Sequence, residues 1–532
     1  MYIYNENAVL YGERLFSIIE NISHLRQRTQ VADILSFLRG NSFGRISALF
    51  GCRYTGKTTA MLQAIEALSD DERRKTAFIQ GSQAMKMSNV VADIIQLRRH
   101  GFKNVFIDEA TWINGFGAEA ASLDAPDLHG MKILLSGTNS LLLHEIFRSV
   151  FSGRGIRIPT SWIPFGEWSS VLGIPSLQAF LQNGGTMFPN FTGPDENVEQ
   201  YVLSSLTQNI CESVKFAPWI PQELIRCHED KILVPILNHL VKTVGHNLVA
   251  HHARIHLAAS PLPETAAALA WVQARLETGD DRRRIMDSIA HAINIRFGHP
   301  VDDIPVLDRE LQKYLDSLTA SLLEIDFIRP WPCRYFSVET GEEIQDAEDQ
   351  KYLLIQPGLR YRQSLAILDT MRRSGMPADR KVFAGMQNGL LGNVLEEQLF
   401  NEILFAVNSK KFEVFKILFL KERPYPMHRS SKYDHDGEID IAVRDIDSGK
   451  TLLFECKITE TIKQKFTKNI LNEKYIDIIK NHNIIPVDRF LIGSMQSENN
   501  SNYKCINAEQ WLSVLWKEPL LDDLLDGKSD KF

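Results

Sequence analysis

Short apolar runs separated by turn-rich or amphipathic stretches set the rhythm of the first third of the chain. Ile46-Ser47-Ala48-Leu49-Phe50, Thr76-Ala77-Phe78-Ile79-Gln80, Asn104-Val105-Phe106-Ile107 and Lys132-Ile133-Leu134-Leu135 have the length and character of buried strands. Helical spacing fills the gaps. Leu15, Ile18, Ile19, Ile22 and Leu25 predict helix within residues 8 to 40, Thr59 to Ile65 a helix after the first central strand, and Val90 to Leu97 an amphipathic one. Strands alternating with helices predict a doubly wound α/β domain with a parallel sheet. From about residue 195 to 335 the pattern turns mostly helical, as in Ile236 to Val249 and Glu264 to Leu276. Near the end it changes period. Leu399, Phe400 and Ile403 mark the buried side of a helix opened by Gly392-Asn393-Val394-Leu395-Glu396. Ile439, Ile441 and Val443 then alternate with Glu438 and Asp440, as a strand requires. Asp445-Ile446-Asp447-Ser448-Gly449-Lys450 supplies turn chemistry, and Thr451 to Lys457 the returning strand.

A chain of 532 residues exceeds one hydrophobic core. The pattern divides it into an α/β domain at 1–195, a helical middle at 196–380 and a second α/β domain at 381–532. Apolar residues make up 44% and charged residues 23%, as in ordinary soluble domains. A net charge of −7 restricts any nucleic-acid contact to local basic patches, of which Lys463, Lys465, Lys468 and Lys474 form the best candidate. Six scattered cysteines with no C-x-x-C pair suit a reducing compartment. The start, Met1-Tyr2-Ile3-Tyr4-Asn5-Glu6, lacks the signature of a signal peptide, and no stretch is long and apolar enough to span a bilayer. The expectation is a cytoplasmic protein without a membrane partner.

Candidate chemistry falls at two places. Gly51-Cys52-Arg53-Tyr54-Thr55-Gly56-Lys57-Thr58 fits G-x-x-x-x-G-K-[ST] between a predicted strand and a predicted helix, the context that a phosphate-binding loop requires. Gly51, Thr55, Gly56, Lys57, Thr58 and Thr59 are the expected ATP ligands. Lys57 would reach the terminal phosphates, and the Thr58 hydroxyl would join the Mg²⁺ shell. Asp108 and Glu109 end a neighbouring apolar run, where Asp108 would hold Mg²⁺ through water and Glu109 would act as general base. Thr138 or Asn139, at the end of the next run, would sense the γ-phosphate or the water.

The second place is the late hairpin, whose faces bring together Asp440, Glu455 and Lys457, with Glu396 able to arrive from the preceding helix. Carboxylates so gathered hold Mg²⁺, and the lysine orients or deprotonates water. Glu396, Asp440 and Glu455 are the expected metal ligands, and Asp440, Glu455 and Lys457 the expected catalytic set. His246, His251, His252 and His256 have no Cys or carboxylate at ligand spacing and read as helix surface. Arg282-Arg283-Arg284 is a short basic cluster that a solvated helix start explains equally well.

Together with Gly153-Arg154, the Pro164-Phe165-Gly166-Glu167-Trp168 element and Asn183-Gly184-Gly185, these motifs resemble prokaryotic AAA-like P-loop ATPases that carry a winged-helix middle and a C-terminal PD-(D/E)xK nuclease-like domain. The resemblance runs from about residue 30 to 515. It departs from the pattern at Ile439, which stands where the family name has proline. It implies that Arg154 or Arg148 meets the transition-state phosphate, in cis or from a neighbouring subunit of a homo-oligomer. It also implies that Asp308 to Leu318 is a recognition helix, with Leu322 to Ile328 a first wing strand and Tyr352 to Arg360 a closing strand and turn. The implied function is an ATPase gating cleavage of DNA or RNA, in mobile elements or defence against them. The alternative is an ATP-driven DNA-binding or protein-signalling switch with a silent nuclease fold.

Overall fold

The computed structural model describes residues 3–40, 46–187, 320, 322–324, 326–345, 352–358, 361, 380–407, 409–422, 433–458, 466–493, 498–499, 502–515 and 520–525. The expected middle helices, the four histidines, Arg282 to Arg284, the recognition helix at 308–318, Lys463 and Lys465 lie outside them. Among the described residues no helix is long and apolar enough to cross a membrane. The described chain falls into two compact units, 3–175 with 184–187 and 320–327, and 176–183 with 328–525.

The first unit runs β1 (Val9–Leu10), α1 (Glu13–Glu20), α2 (Gln30–Arg39), β2 (Ile46–Phe50), α3 (Lys57–Glu66), α4 (Asp70–Arg74), β3 (Thr76–Gln80), α5 (Met87–Arg99), β4 (Asn104–Asp108), α6 (Phe116–Glu119), β5 (Lys132–Ser136), α7 (Ser140–Ser149), β6 (Gly155–Pro159) and α8 (Phe165–Leu172). Its sheet has the order β1-β3-β4-β5-β2-β6, parallel throughout except for β1 at the edge. All four strands read from apolar runs are present. Two more are not legible as runs: β1, which has two residues, and β6, whose Ile-Arg-Ile-Pro core leaves Ile156 and Arg157 exposed on an edge. Residues 8 to 40 therefore hold a strand and two helices, not helix alone. One face is sealed by Leu15, Ile19, Val31, Ile34, Phe37, Met61 and Ile65 against Phe78, Phe106 and Leu134. Strand β5 lies between β2 and β4, with Leu49 paired to Ser136 and Ile107 to Leu135. The carboxyl ends of these three strands thus share one edge, where ligands of open α/β sheets sit.

The second unit holds α9 (Leu177–Asn183), β7 (Ile328–Pro330), β8 (Cys333–Ser337), β9 (Tyr352–Leu354), α10 (Arg380–Ala406), β10 (Phe412–Glu422), β11 (Tyr433–Asp445), β12 (Lys450–Lys457), α11 (Glu473–Lys480), β13 (Ile485–Gly493), β14 (Glu498–Asn499), β15 (Lys504–Asn507), α12 (Ala508–Val514) and α13 (Leu520–Leu525). A seven-stranded mixed sheet has the order β14-β15-β13-β12-β11-β10-β8, and β7 pairs with β9 apart from it. Because β8 pairs in parallel with β10, a boundary at 381 would cut this sheet. Residues 322–324 are helical, so the expected wing strand contributes only Ile328 to a strand. Residues 352–354, within the expected strand and turn at 352–360, form strand β9. Helix α10 begins well before Gly392, which lies inside it. The hairpin closes as its residues dictate: Ser448 N–H donates to Asp445 Oδ1 at 2.7 Å, and Gly449 takes a left-handed φ of 72°.

Phe415, Ile417 and Phe419 of β10 pack with Ile439 and Leu453 against Ile476 and Ile479 of α11. Lys416, between two of them, points the other way and meets Glu396 of α10. The two helices therefore cover opposite faces, and the polar residues of the hairpin lie under α10.

Candidate functional site

The loop between β2 and α3 is shaped by neighbours that leave no room for side chains. A Cβ on Gly51 would collide with the Thr160 side chain and sit 2.8 Å from the Ser161 nitrogen. Gly56 takes φ 73° and starts α3, with the Arg28 guanidinium against it. Ser140 Oγ donates to the Gly51 carbonyl at 2.6 Å and accepts from the Gly51 N–H at 3.1 Å. Thr55 Oγ1 donates to the Cys52 carbonyl at 2.9 Å. Lys57 is buried, and its Nζ donates to the carbonyls of Gly51 and Cys52 at 2.9 and 2.8 Å. Burial pushes its ammonium below the usual lysine range, with Glu109 acting against the shift. A phosphate would offer that cation stronger acceptors than two neutral carbonyls.

Asp108 ends β4 beneath this loop. Its Oδ2 accepts from the exposed Thr58 Oγ1 at 2.7 Å, and its Oδ1 accepts from Ser136 at the end of β5. A hydroxyl and a carboxylate facing each other at the start of α3 are the donor pair that suits Mg²⁺. Glu109 follows with a left-handed φ of 51°. Gly81 packs beneath it, donating its N–H to the Asp108 carbonyl at 2.8 Å. Thr138 grips the Glu109 carboxylate twice over, through its N–H at 2.9 Å and its hydroxyl at 2.8 and 2.9 Å. Asn139 instead caps α7, its Oδ1 accepting from Leu142 N–H at 2.9 Å. The residue touching the candidate base is therefore Thr138. Asn139 Nδ2 is buried without a hydrogen-bond partner. Thr59 is half-buried in the first turn of α3.

The arginines lie elsewhere. Gly155 is in register with Ile46, the first residue of β2, so Arg154 flanks the amino edge of the sheet. The loop leaves the other edge, roughly 13 Å away for a strand of this length. Arg154 pairs with Asp124 and donates to the Val150 carbonyl at 3.3 Å. Arg148 pairs with Glu145 at 2.7 Å. By this register Arg154 flanks the edge of the sheet opposite the one its own chain's loop leaves.

A cation missed in the sequence does reach the loop. Arg28 is buried, pairs through Nε with Glu167 of α8, and donates through Nη1 to the Thr55 carbonyl, while its Nη2 has no hydrogen-bond partner. Glu167 also accepts from Thr29 Oγ1 at 2.8 Å and Thr29 N–H at 3.2 Å. The Met187 N–H donates to the Tyr54 carbonyl at 2.7 Å. Arg28 stood in a polar stretch with no motif around it, so only its partner's place in the Pro-Phe-Gly-Glu-Trp element offered a signal.

In the second unit, Lys457 Nζ lies 3.1 Å from Asp440 Oδ2 and 3.2 Å from Glu455 Oε2, and the Cys456 N–H donates to Asp440 Oδ2 at 2.8 Å. Three predicted residues thus meet. Glu396 arrives from α10 with Lys416 between: Lys416 Nζ stands 2.5 Å from Glu396 Oε1, 2.9 Å from Glu438 Oε2 and 3.9 Å from Asp440 Oδ1. Lys416 and Glu438 were not in the predicted set. The signals were a lone lysine inside the apolar run Val414 to Leu420, and Glu438 two residues from Asp440 on one strand face.

Burial, then the Asp440 charge, raises Glu396 to about 8, and the same causes raise Glu455 well above the carboxylate range. Burial works against the ammonium of Lys416, yet Glu396, Glu438 and Asp440 outweigh it and hold its pKa well above normal. Burial likewise opposes the charge of Lys457, but Asp440 and Glu455 prevail. Lys457 is therefore held charged, which suits orienting water and steadying negative charge rather than deprotonating water. Among the described residues no three His, Cys, Asp or Glu side chains stand grouped as a ready metal site. The two ammonium groups stand between the carboxylates that would have to converge. The donors themselves suit Mg²⁺, and buried Asp440 Oδ1 and Glu455 Oε1 have no hydrogen-bond partner. Lys468 and Lys474 are exposed, the first in a turn and the second in the opening turn of α11.

Residues 44–168 match the family model described as an AAA domain. The match makes residues 44–168 an AAA-like P-loop domain, which supports ATP binding and hydrolysis. No curated protein matches the sequence. Among solved structures, a chain of the S. cerevisiae Hsp104:casein complex in its extended conformation aligns over 63% of this chain and 55% of its own length, at 10% identity and a TM-score of 0.26. A likeness that weak carries no argument about fold or function.

Proposed function

We propose that this chain is an ATPase whose nucleotide cycle governs a Mg²⁺-dependent, nucleic-acid-cleaving centre in its second unit. The observation that carries the reading is the meeting of Asp440, Glu455 and Lys457 on one buried sheet face, with unpartnered carboxylate oxygens on two of them. In the first domain, Thr58 and Asp108 would hold Mg²⁺, and Lys57 would exchange its loop carbonyls for the terminal phosphates. Glu109, oriented by Thr138, would take the proton from the attacking water. Arg154, on the far edge of the sheet, would act only in trans, which requires a homo-oligomer.

In the second unit Asp440, Glu455 and Glu396 would hold Mg²⁺, which supplies charge neutralisation at a phosphodiester and a more acidic bound water. Lys457 would orient that water for in-line attack and steady the charge growing on the phosphoryl oxygens. Exposed Lys468 and Lys474 would meet the phosphate backbone of DNA or RNA.

The test is Mg²⁺-dependent cleavage of plasmid and linear DNA and of RNA, with and without ATP, by wild type, Lys57→Ala and Lys457→Ala. Cleavage lost in Lys457→Ala and made independent of ATP, or abolished, in Lys57→Ala is the expected result. Nucleic-acid binding without cleavage under any condition would favour the silent-fold alternative. ATP hydrolysis surviving Lys57→Ala would overturn the assignment of the loop.

A further inference from the structure

Lys416 is an unusual residue for its position. It sits in the middle of β10 between Phe415 and Ile417, is 4% exposed, and carries a charge into a sheet face covered by a helix. A buried ammonium persists only where it is paired. Its partners are Glu396 from α10 and Glu438 and Asp440 from β11, at 2.5, 2.9 and 3.9 Å. Two of these carboxylates, Glu396 and Asp440, are the ones that the proposed centre needs as metal ligands. Four carboxylates (Glu396, Glu438, Asp440, Glu455) face two ammonium groups (Lys416, Lys457), so the cluster carries more acidic than basic groups.

We infer that Lys416 is a built-in counter-cation of the carboxylate centre, occupying the space between Glu396 and Asp440 that a divalent cation must enter, so that metal loading requires its displacement. The inference rests on the metal-centre reading above and adds a regulation to it. A divalent ion binds carboxylate oxygens at roughly 2.0–2.6 Å, which leaves no room for an ammonium among the same oxygens. The Lys416 ammonium and the entering ion compete for Glu396 Oε1 and Asp440 Oδ1, whereas Lys457 holds the other oxygens, Asp440 Oδ2 and Glu455 Oε2. Lysine suits an exchangeable role because its charge sits on a flexible four-carbon stem with no fixed directional fork. The buried ring of Trp331, already 5.2 Å from Nζ, is a favourable contact that the ammonium can keep when it leaves the carboxylates. The unpartnered Asp440 Oδ1 is the oxygen facing Lys416 at the longest of the three distances, so the ammonium does not saturate the cluster it neutralises.

The experiment is Mn²⁺ binding to the full chain without nucleotide, read by isothermal calorimetry and by the Mn²⁺-dependent shift in thermal midpoint. Wild type, Lys416→Met, Lys416→Gln, Lys416→Arg and Asp440→Asn are compared, and the component lost in Asp440→Asn is the one counted. Removing the charge by Met or Gln should tighten that component at least about tenfold, because the entering ion no longer competes with a unit charge a few ångströms away. Lys416→Arg, which keeps the charge, should bind no tighter than wild type. Charge removal should also lower the thermal midpoint without metal and enlarge its rise with metal. Two uncharged variants are used so that a folding failure in one leaves the other to decide. Asp440-dependent binding that is unchanged or weaker in both overturns the role of Lys416 while leaving the metal centre standing. No Asp440-dependent binding in any variant overturns the centre itself, and the inference with it.

Discussion

Arg28→Met isolates the contribution of the cation that braces the phosphate loop. The Arg28 and Glu167 side chains are 1% and 3% exposed, so the substitution leaves a carboxylate buried without its counter-charge. Breaking such a pair costs about 3–5 kcal/mol. Glu167 keeps the Thr29 hydroxyl and N–H, which points to the lower end, about 3 kcal/mol. The Thr55 carbonyl loses its donor as well, adding about 1 kcal/mol. The expected loss in the first domain is therefore about 4 kcal/mol. Arg28→Met combined with Glu167→Leu removes both charges together, and should lie within about 2 kcal/mol of wild type, since apolar replacement of a buried pair is often neutral. Both variants should bind ATP more weakly, by about tenfold, because Thr55 is no longer held back from the loop cavity. The assay is urea unfolding read by hydrogen exchange on peptides from 46–66, which isolates this domain's transition, together with ATP titration. A single variant within about 1 kcal/mol of wild type, or a double variant that loses more than the single one, would refute the reasoning.

Glu109→Gln keeps a side chain that Thr138 can grip but not a base; ATP binding should persist while phosphate release falls about 10²–10⁴-fold, and an unchanged rate would remove Glu109 from the mechanism. At Gly81 an added Cβ would stand 2.5 Å from the Glu109 carbonyl oxygen and 2.9 Å from that of Asp108, so Gly81→Ala should lower hydrolysis at least about tenfold. Wild-type turnover in that variant would show that the turn has slack. Metal-free protein should lose stability as pH rises. Glu396 titrates at about 8 when folded against an ordinary 4.5, so its contribution is complete below 4.5 and lost through 8. Glu396→Gln should make the profile measured from pH 5 to 9 shallower, with Glu455, raised by the same causes, keeping part of the slope. Stability that climbs over that range would contradict the burial of this carboxyl. Cys52, pushed up to about 12 by burial, should resist iodoacetamide at pH 8 in folded protein, and rapid labelling would place it in an open loop.

Much of the first domain was legible because its central strands are buried on both faces and so appear as unbroken apolar runs. Strands β2 to β5 fall where those runs fall, and the Gly-Lys-Thr and Asp-Glu signatures lie at their ends. Edge strands lack that property, which is why β1 and β6 did not announce themselves. The choice between Thr138 and Asn139 turned on side-chain direction at a strand end, which a sequence does not encode. In the second unit the hairpin was readable from its period of two and its Asx turn. Lys416 was not, because strand alternation identifies a face but not which strand lies beside it. Only the pairing of β10 with β11 puts that lysine next to Asp440 and Glu438. Its presence in an apolar run was a mismatch between local pattern and burial, and such mismatches mark functional positions more often than packing ones.

The five residues Ser136 to Ser140 touch Asp108, Glu109 and Gly51 of the nucleotide site. Ser136 holds Asp108, Thr138 holds Glu109, and Ser140 holds both backbone groups of Gly51. The site is thus wired like three levers on one short axle, with β5 at one end and α7 at the other. A shift at any lever must be shared by the rest or break a hydrogen bond. Phosphate arriving at the loop would tug on the base through Gly51, Ser140 and Thr138, with no separate relay between them. Substitutions along this axle should therefore seldom change binding alone or hydrolysis alone.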